Sequence, residues 1–251
     1  MANRYDSRTT TFSPEGHLYQ VEYAITAIQN AAAAVGILTE QGIVIAGQKK
    51  TGSKLLAPPK TSEKLYKLDT HVAAAVAGLT SDADILVDYA RLTAQRYRYR
   101  YDEPMPVEQL VKTLCNQKHS YTQFGGLRPF GVSFLFAGWD QYLGFQLYQS
   151  NPSGNYSGWK ATAIGANSTS SQSTLKTDYK ADMTLAEAQG LAVKVLTKAM
   201  DTTAPSSEQV EVSTVFLHEG QVVQKVLSAE ETDVLIKEAT EAAAEEGEEA
   251  K

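Results

Sequence analysis

Motifs that would gather side chains for acid–base, nucleophilic or metal chemistry are mostly missing. His17, His71, His119 and His218 lie far apart in the chain, and none belongs to a recognisable set of metal ligands or to a triad. Cys115 is the one cysteine, so neither a disulfide framework nor a Cys-rich zinc site can form, and its presence as a lone thiol fits a reducing compartment. There is no Walker loop, no G-x-G-x-x-G after a strand, no G-x-S-x-G elbow and no H-E-x-x-H. Nucleotide-binding, hydrolase-elbow and zinc-protease chemistry therefore have nothing to stand on. One stretch interleaves cations with aromatics, Arg96-Tyr97-Arg98-Tyr99-Arg100-Tyr101, and such rings could stack on bases. The expectation is instead a helix end, where the arginines meet the negative end of the dipole and the tyrosines face a neighbouring chain.

The elements that must position these residues follow from periodicity. Leu18, Val21, Ala24, Ile25 and Ile28 recur at helical spacing, ahead of an alanine run over 31–34. Two hairpins come next: 33–38 with 43–47 around Glu40-Gln41-Gly42, and 64–68 with 71–77 around Asp69-Thr70. Thr80 or Ser81 is placed to cap a helix with Asp82 and Asp84 in its first turn and Ile85, Leu86, Tyr89 and Leu92 on one face. Pro106 suits the first turn of a second helix with a stripe of Val107, Leu110, Val111 and Leu114. Segments 130–137, 142–148 and 159–164 read as strands. Thr184 with Glu187 makes a capping box ahead of Leu185, Ala188, Leu191, Ala192 and Val195. A last hairpin, 210–217 with 222–227 around Glu219-Gly220, leads to a final helix capped by Ser228 and Glu231. Blocks of strands alternating with blocks of paired helices predict antiparallel sheets covered by helices, an α+β layered architecture.

The chain of 251 residues is 43% hydrophobic, enough to bury a core without staples, and it shows no long linker or solenoid repeat; it reads as one domain over 1–237 with an acidic tail over 238–251. That tail holds six Glu and one Lys, which is −5 of the net −6, and is expected to be solvated and frayed. A nearly neutral body argues against nucleic acid as a partner, and no apolar run reaches the length of a membrane helix. The expectation is a soluble intracellular protein, for which the sequons at Asn155 and Asn167 are turn chemistry.

The front of the chain carries a more specific pattern: Tyr5-Asp6, then Thr11-Phe12-Ser13-Pro14-Glu15-Gly16-His17-Leu18-Tyr19-Gln20-Val21-Glu22-Tyr23-Ala24. Ser62-Glu63-Lys64, Val76-Ala77-Gly78-Leu79-Thr80-Ser81-Asp82-Ala83, Tyr121-Thr122-Gln123-Phe124-Gly125-Gly126-Leu127-Arg128-Pro129-Phe130-Gly131-Val132-Ser133 and Trp159-Lys160-Ala161-Thr162-Ala163-Ile164-Gly165 follow in order. Together these blocks resemble the α-type subunits of the 20S proteasome over almost the whole chain. Tyr5-Asp6-Ser7-Arg8-Thr9-Thr10 and Asn151-Pro152-Ser153-Gly154-Asn155-Tyr156-Ser157-Gly158-Trp159 are similar to the subtype third in the eukaryotic ring. His17 stands where the family usually has Arg, and the tail is less Lys-rich than in some members.

The resemblance implies the four-layer αββα sandwich of N-terminal-nucleophile hydrolases, with an extra helix over 18–30. Such enzymes use an N-terminal Thr whose own amine is the base. Matched to the catalytic β-type pattern, the nucleophile position falls on Ala32, the supporting Asp on Gln48 and the lysine on Lys64, so no peptidase activity is expected. The implied role is scaffolding and gating of the substrate channel: a polar tail over 1–17 lying across the axial pore, with Tyr5, Asp6, Pro14 and Tyr23 forming the open-gate cluster between adjacent subunits. Lys64, with Ala31, Gly78 and Leu79, would line a pocket for the C-terminal tails of regulatory particles. The partners implied are six other α subunits, a β ring, regulatory particles and assembly chaperones, in cytoplasm and nucleus and in ubiquitin-dependent protein degradation. The 18–28 helix, the 96–101 segment and 127–131 are expected at ring interfaces. No cofactor, metal, nucleic acid or membrane is implied.

Overall fold

The computed structural model describes residues 8–49, 55, 64–200 and 205–249, with side chains through residue 241. Helix α1 (Tyr19–Gln29) precedes the hairpins β1 (Ala34–Leu38)–β2 (Gly42–Gln48) and β3 (Leu65–Asp69)–β4 (Val72–Gly78). Helices α2 (Thr80–Tyr101) and α3 (Val107–Gln123) lead into β5 (Val132–Asp140), β6 (Gly144–Ser150), β7 (Tyr156–Gly158) and β8 (Ala161–Ile164). Then come α4 (Ser168–Asp178), α5 (Leu185–Met200), β9 (Val210–His218), β10 (Gln221–Val226) and α6 (Ala229–Glu249).

Two five-stranded sheets result, β10-β9-β2-β1-β8 and β3-β4-β5-β6-β7, with every strand pair antiparallel. They stack face to face over Ile43, Ile45, Ala73, Ala75, Leu135, Ala137 and Leu147. The alternation within each strand sends the other set outward, as a period of two requires. Val72, Ala74, Val76, Phe134 and Phe136 meet α2 and α3, while Val35, Ile37, Val44, Ala46 and Val212 meet α5 and α6. The layers are helix, sheet, sheet, helix, as the resemblance implied. Helix α1 lies outside this stack and lends Ile28 to the inter-sheet core.

Most elements fall where periodicity put them, and four departures have physical causes. Helix α2 starts at Thr80 with Leu79 at the N-cap and no side-chain cap, so neither Thr80 nor Ser81 caps it. Its buried face is Ala83, Leu86, Val87, Ala90 and Ala94, whereas Ile85 and Leu92 are exposed; small residues let the helix sit close to the sheet. Helix α4 and the three-residue β7 carry too little apolar pattern to be read from sequence. Helix α6 runs through Glu249, so the acidic segment from residue 238 is helical over 238–249 where its charge implied fraying. Ala and Glu are strong helix formers, and that outweighs like-charge repulsion.

Both capping boxes form. The Thr184 amide donates to Glu187 Oε2 at 2.7 Å and the Glu187 amide to Thr184 Oγ1 at 3.3 Å; Ser228 and Glu231 repeat the exchange at 2.8 and 3.2 Å. Helix α3 is capped from a distance instead. Asp140 Oδ2 accepts the Val107 amide at 3.0 Å and the Gln146 side-chain amide at 2.7 Å, while Oδ1 accepts the amides of Tyr142 and Leu143 at 3.0 and 2.9 Å. Burial acts to raise this carboxyl's pKa, but those four bonds outweigh it and hold the group below the usual Asp value. Asp140→Ala should cost about 1–2 kcal/mol, the scale of a lost cap. Because the folded carboxyl binds its proton more weakly than the unfolded one, that contribution is present above the ordinary Asp pKa and fades as pH falls below it. Thermal unfolding of the two chains should therefore converge in acid, and a constant gap would contradict the cap.

Candidate functional site

The residues singled out by sequence gather at one end of the sandwich. Lys64 leads into β3, where its carbonyl accepts the Val76 amide at 3.2 Å, and its side chain crosses from one sheet to the other beside Gly47, whose missing Cβ leaves the passage. The ammonium donates to the carbonyl oxygen of Ala32 and, at 3.3 Å, to that of Ala33. Gln48, at the end of β2, accepts the Ala33 amide on Oε1 at 3.2 Å and donates its own amide to the Ala33 carbonyl at 2.9 Å. Behind them Gly165, at φ +89°, approaches so closely that a Cβ would stand 2.7 Å from the Ala32 oxygen. The Ala166 amide fixes the Ala31 carbonyl at 2.8 Å. The Glu211 carboxylate accepts the Lys64 amide at 3.4 Å. Ala31, Ala32, Gln48 and Lys64 are thus brought together, with Lys64 only 9% exposed. Apart from the lysine amine, these four side chains offer no nucleophile and no general base.

Gly78, the last residue of the strand that pairs with β3, and Leu79, the N-cap of α2, lie at the same end. Gly78 has φ +134° and meets Val132 across β4–β5, so close that a Cβ would fall 2.1 Å from the Gly131 oxygen. Leu79 is about half exposed and donates its amide to that same Gly131 carbonyl at 2.9 Å. An apolar side chain open to solvent therefore lies at the same sheet end as the lysine.

Of the four tail positions, Tyr5 and Asp6 lie outside the described residues. Pro14 occupies a reverse turn: the Gly16 amide donates to the Ser13 carbonyl at 2.9 Å, and Ser13 also receives the His17 amide on Oγ at 3.1 Å. Proline's fixed φ favours this second turn position. Tyr23 is about half exposed and ends a ladder of stacked rings, His17 on Tyr19 at 5.6 Å and Tyr19 on Tyr23 at 6.2 Å. His17 Nδ1 lies 2.5 Å from Glu22 Oε1, and that hydrogen bond raises the imidazole's pKa above its ordinary value.

Three features were missed by sequence reasoning. Arg128 holds Asp82 with two parallel bonds, Nη1–Oδ2 at 2.6 Å and Nη2–Oδ1 at 2.9 Å, and keeps that carboxyl below the usual range against the effect of burial. Thr9 Oγ1 donates to the Leu127 carbonyl at 3.0 Å, which ties the tail to the loop before β5. Lys118 is wholly buried, donates to the Val132 carbonyl, Ser150 Oγ and the Asn151 carbonyl at 3.0, 3.0 and 3.3 Å, and lies over the Phe134 ring. Burial pushes its pKa down to about 7, and also pushes the nearby Cys115 thiol up. The signal for Lys118 was present, since it continues the α3 stripe of Val111, Leu114 and Cys115. The other two contacts join distant residues and leave no local trace. Among the described residues no group of three or more His, Cys, Asp or Glu could hold a metal ion.

Two family models match this chain. One, described as a proteasome subunit, covers residues 28–215; the other, described as the N-terminal signature of the A-type proteasome subunits, covers residues 5–27. The alpha type-4-A proteasome subunit of Arabidopsis thaliana is 60% identical over 239 residues, covering 94% of this chain and 96% of that protein. The alpha type-4 proteasome subunit of Petunia hybrida is 59% identical over 236 residues (94% and 95%), and that of Spinacia oleracea 60% over 239 residues (95% and 96%).

Proposed function

The chain belongs to the proteasome subunit family, in its α type, and from that premise we propose how its residues divide the work. It is a non-catalytic α-ring subunit, similar to α type-4, and its role in protein degradation follows from the family. We read Ala32 as the position where a catalytic relative would carry its threonine, Gln48 as that of the supporting carboxylate and Lys64 as that of the lysine. The meeting of Lys64 and Gln48 around the Ala32–Ala33 backbone supports this reading more than any other observation. A methyl group cannot attack a carbonyl, and with α1 ahead of it Ala32 has no free amine to serve as base.

What remains is scaffold and gate. Residues 1–237 act as one α-type domain with 238–251 appended, in a ring with six other α subunits, against a β ring and beneath regulatory particles, after help from assembly chaperones. Residues 1–17 close the pore by many weak polar contacts, which cost little to displace. In the open state Tyr5 and Asp6 join Pro14 and the neighbouring subunit's counterpart of Tyr23; the exposure of Pro14 and Tyr23 leaves both accessible for that. Regulatory tails dock where Lys64 can meet a carboxylate and Leu79 an apolar side chain, with Ala31 and Gly78 giving close backbone approach. Binding then favours the open arrangement by differential affinity. Work in both cytoplasm and nucleus, on substrates that include ubiquitin-marked proteins, completes the reading.

The test is a particle purified with this chain intact. Trimming residues 1–10 should raise basal hydrolysis of a short fluorogenic peptide severalfold, and Lys64→Ala should abolish stimulation by carboxylate-ended tails while assembly persists. An unchanged basal rate after trimming refutes the gate; labelling of this subunit by a threonine-directed electrophile refutes the non-catalytic assignment.

A further inference from the structure

An unbroken line of contacts runs from Leu79 to the tail. The Leu79 amide donates to the Gly131 carbonyl at 2.9 Å, and its isobutyl group lies over Gly131, with Cδ1 3.1 Å from where a Cβ would stand. The Gly131 amide donates to Asp82 Oδ2 at 2.9 Å. Asp82, 5% exposed, is gripped by both Arg128 nitrogens, and Arg128 Nη1 also donates to the Pro129 carbonyl at 3.0 Å. The adjoining residue, Leu127, accepts from Thr9 at 3.0 Å. Thr9 is itself buried between the exposed Arg8 and Thr10.

We propose that Asp82 and Arg128 are positioning residues that carry the effect of a carboxylate-ended tail docked at Lys64 and Leu79 to the gate segment, through the Leu127–Thr9 bond. The inference rests on the docking reading given above and adds the route by which docking is felt. The segment 127–131 moves as one piece because Arg128, Pro129 and Gly131 all close on Asp82 or on each other. A two-pronged guanidinium–carboxylate pair has one good geometry and resists shear. A shift of Leu79 under an incoming apolar side chain is passed to Gly131 and Asp82, and so turns the loop. The Thr9–Leu127 bond, part-buried and 3.0 Å long, is the element with two states, made or broken, that the route biases. Asp82 belongs to the first turn of α2, whose N-cap, Leu79, is also the pocket's apolar residue, so pocket and relay share one helix end.

The experiment uses the intact particle and a seven-residue peptide with two apolar C-terminal residues and a free carboxylate, its amidated twin serving as control. Binding is read by fluorescence anisotropy and gate opening by hydrolysis of a fluorogenic substrate. Asp82→Asn keeps an oxygen for the Gly131 amide while removing the ion pair; Thr9→Val removes the hydroxyl and Thr9→Ser restores it. The expected result is binding within twofold of the unaltered particle in all three, stimulation reduced at least threefold in Asp82→Asn and Thr9→Val, and full stimulation in Thr9→Ser. The double variant should be no worse than either single one, as for two links of one route. Full stimulation in Asp82→Asn and Thr9→Val, loss of binding in step with loss of stimulation, or multiplying effects in the double variant would overturn the relay alone. Absence of carboxylate-dependent binding in the unaltered particle would overturn the docking reading and the relay with it. If Asp82→Asn does not assemble, the Thr9 pair decides.

Discussion

Gly78→Ala should leave the chain unable to enter the particle, while Gly190→Ala should strengthen it. At residue 78 a methyl group meets only backbone: 2.1 Å from the Gly131 oxygen and 2.9 Å from the Val132 Cα, at φ +134°, where side chains are rarely tolerated. Relief requires β4 to part from β5 at its last rung, which also releases the Leu79–Gly131 bond and the start of α2. Backbone strain of about 1–3 kcal/mol and the clash add together, against a total stability of about 5–15 kcal/mol. Gly190 sits within α5 with nothing within 4 Å of an added Cβ, and Ala there gains about 0.5–1 kcal/mol of helix propensity. Co-purification with the ring and thermal unfolding of the soluble chain distinguish the two. Normal assembly of Gly78→Ala would mean that the close approach of β4 and β5 is not obligatory.

The second large effect belongs to Lys118. In the folded chain its amine titrates at about 7, against 10.5 when exposed, because burial penalises the charged form and only neutral acceptors surround it. Below about pH 7 both states carry the proton and the folded state bears the full desolvation cost. As pH rises from 7 towards 10.5 the unfolded chain holds more protons than the folded one, so this group makes stability increase with pH. The slope approaches about 1.4 kcal/mol per pH unit above the folded pKa, which sums to about 2 kcal/mol between pH 7 and 9. Lys118→Met keeps the length of the side chain without the proton. Urea unfolding of the two chains should show the native chain gaining on the variant across that range; parallel curves would show that the amine stays charged and finds its compensation in the Phe134 ring and the carbonyls.

Which parts of this structure were legible in the sequence depended on whether the cause was local. Thr184 with Glu187 and Ser228 with Glu231 announce their helices because a capping box is complete within four residues. The stripe of Val107, Leu110, Val111 and Leu114 is buried as read. Helix α4 was opaque for a physical reason. Its hydroxyls bond back to carbonyls four residues earlier, Ser171 to Asn167, Ser173 to Thr169, Thr174 to Ser170 and Thr177 to Ser173, and only Ser171 and Leu175 are buried. Such a segment reads as a polar loop until α5 and β8 pack against it. In α2, alanines decided the buried face, although the larger Ile85 and Leu92 dominate the pattern. The resemblance singled out Ala31, Lys64, Gly78 and Leu79 as candidates, but neither pattern nor resemblance disclosed that the Lys64 ammonium is turned onto the Ala32 and Ala33 carbonyls. The bond from Thr9 to Leu127 spans 118 residues and the pair of Asp82 with Arg128 spans 46, distances over which periodicity says nothing.

The hydrogen bond from Ala166 to the Ala31 carbonyl bears on how firmly this chain is barred from peptidase work. On the assignments proposed above, activity would need a hydroxyl at residue 32, a carboxylate at residue 48 and a cut after residue 31. The carbonyl of the peptide to be cut is held by the Ala166 amide, and Gly165 lies close behind it, so that peptide is fixed in place by its neighbours. Each of the three changes is useless without the others, and the cut would also remove α1, which lends Ile28 to the core. On those assignments, inertness is held in place by three separate features of the chain rather than by one missing hydroxyl.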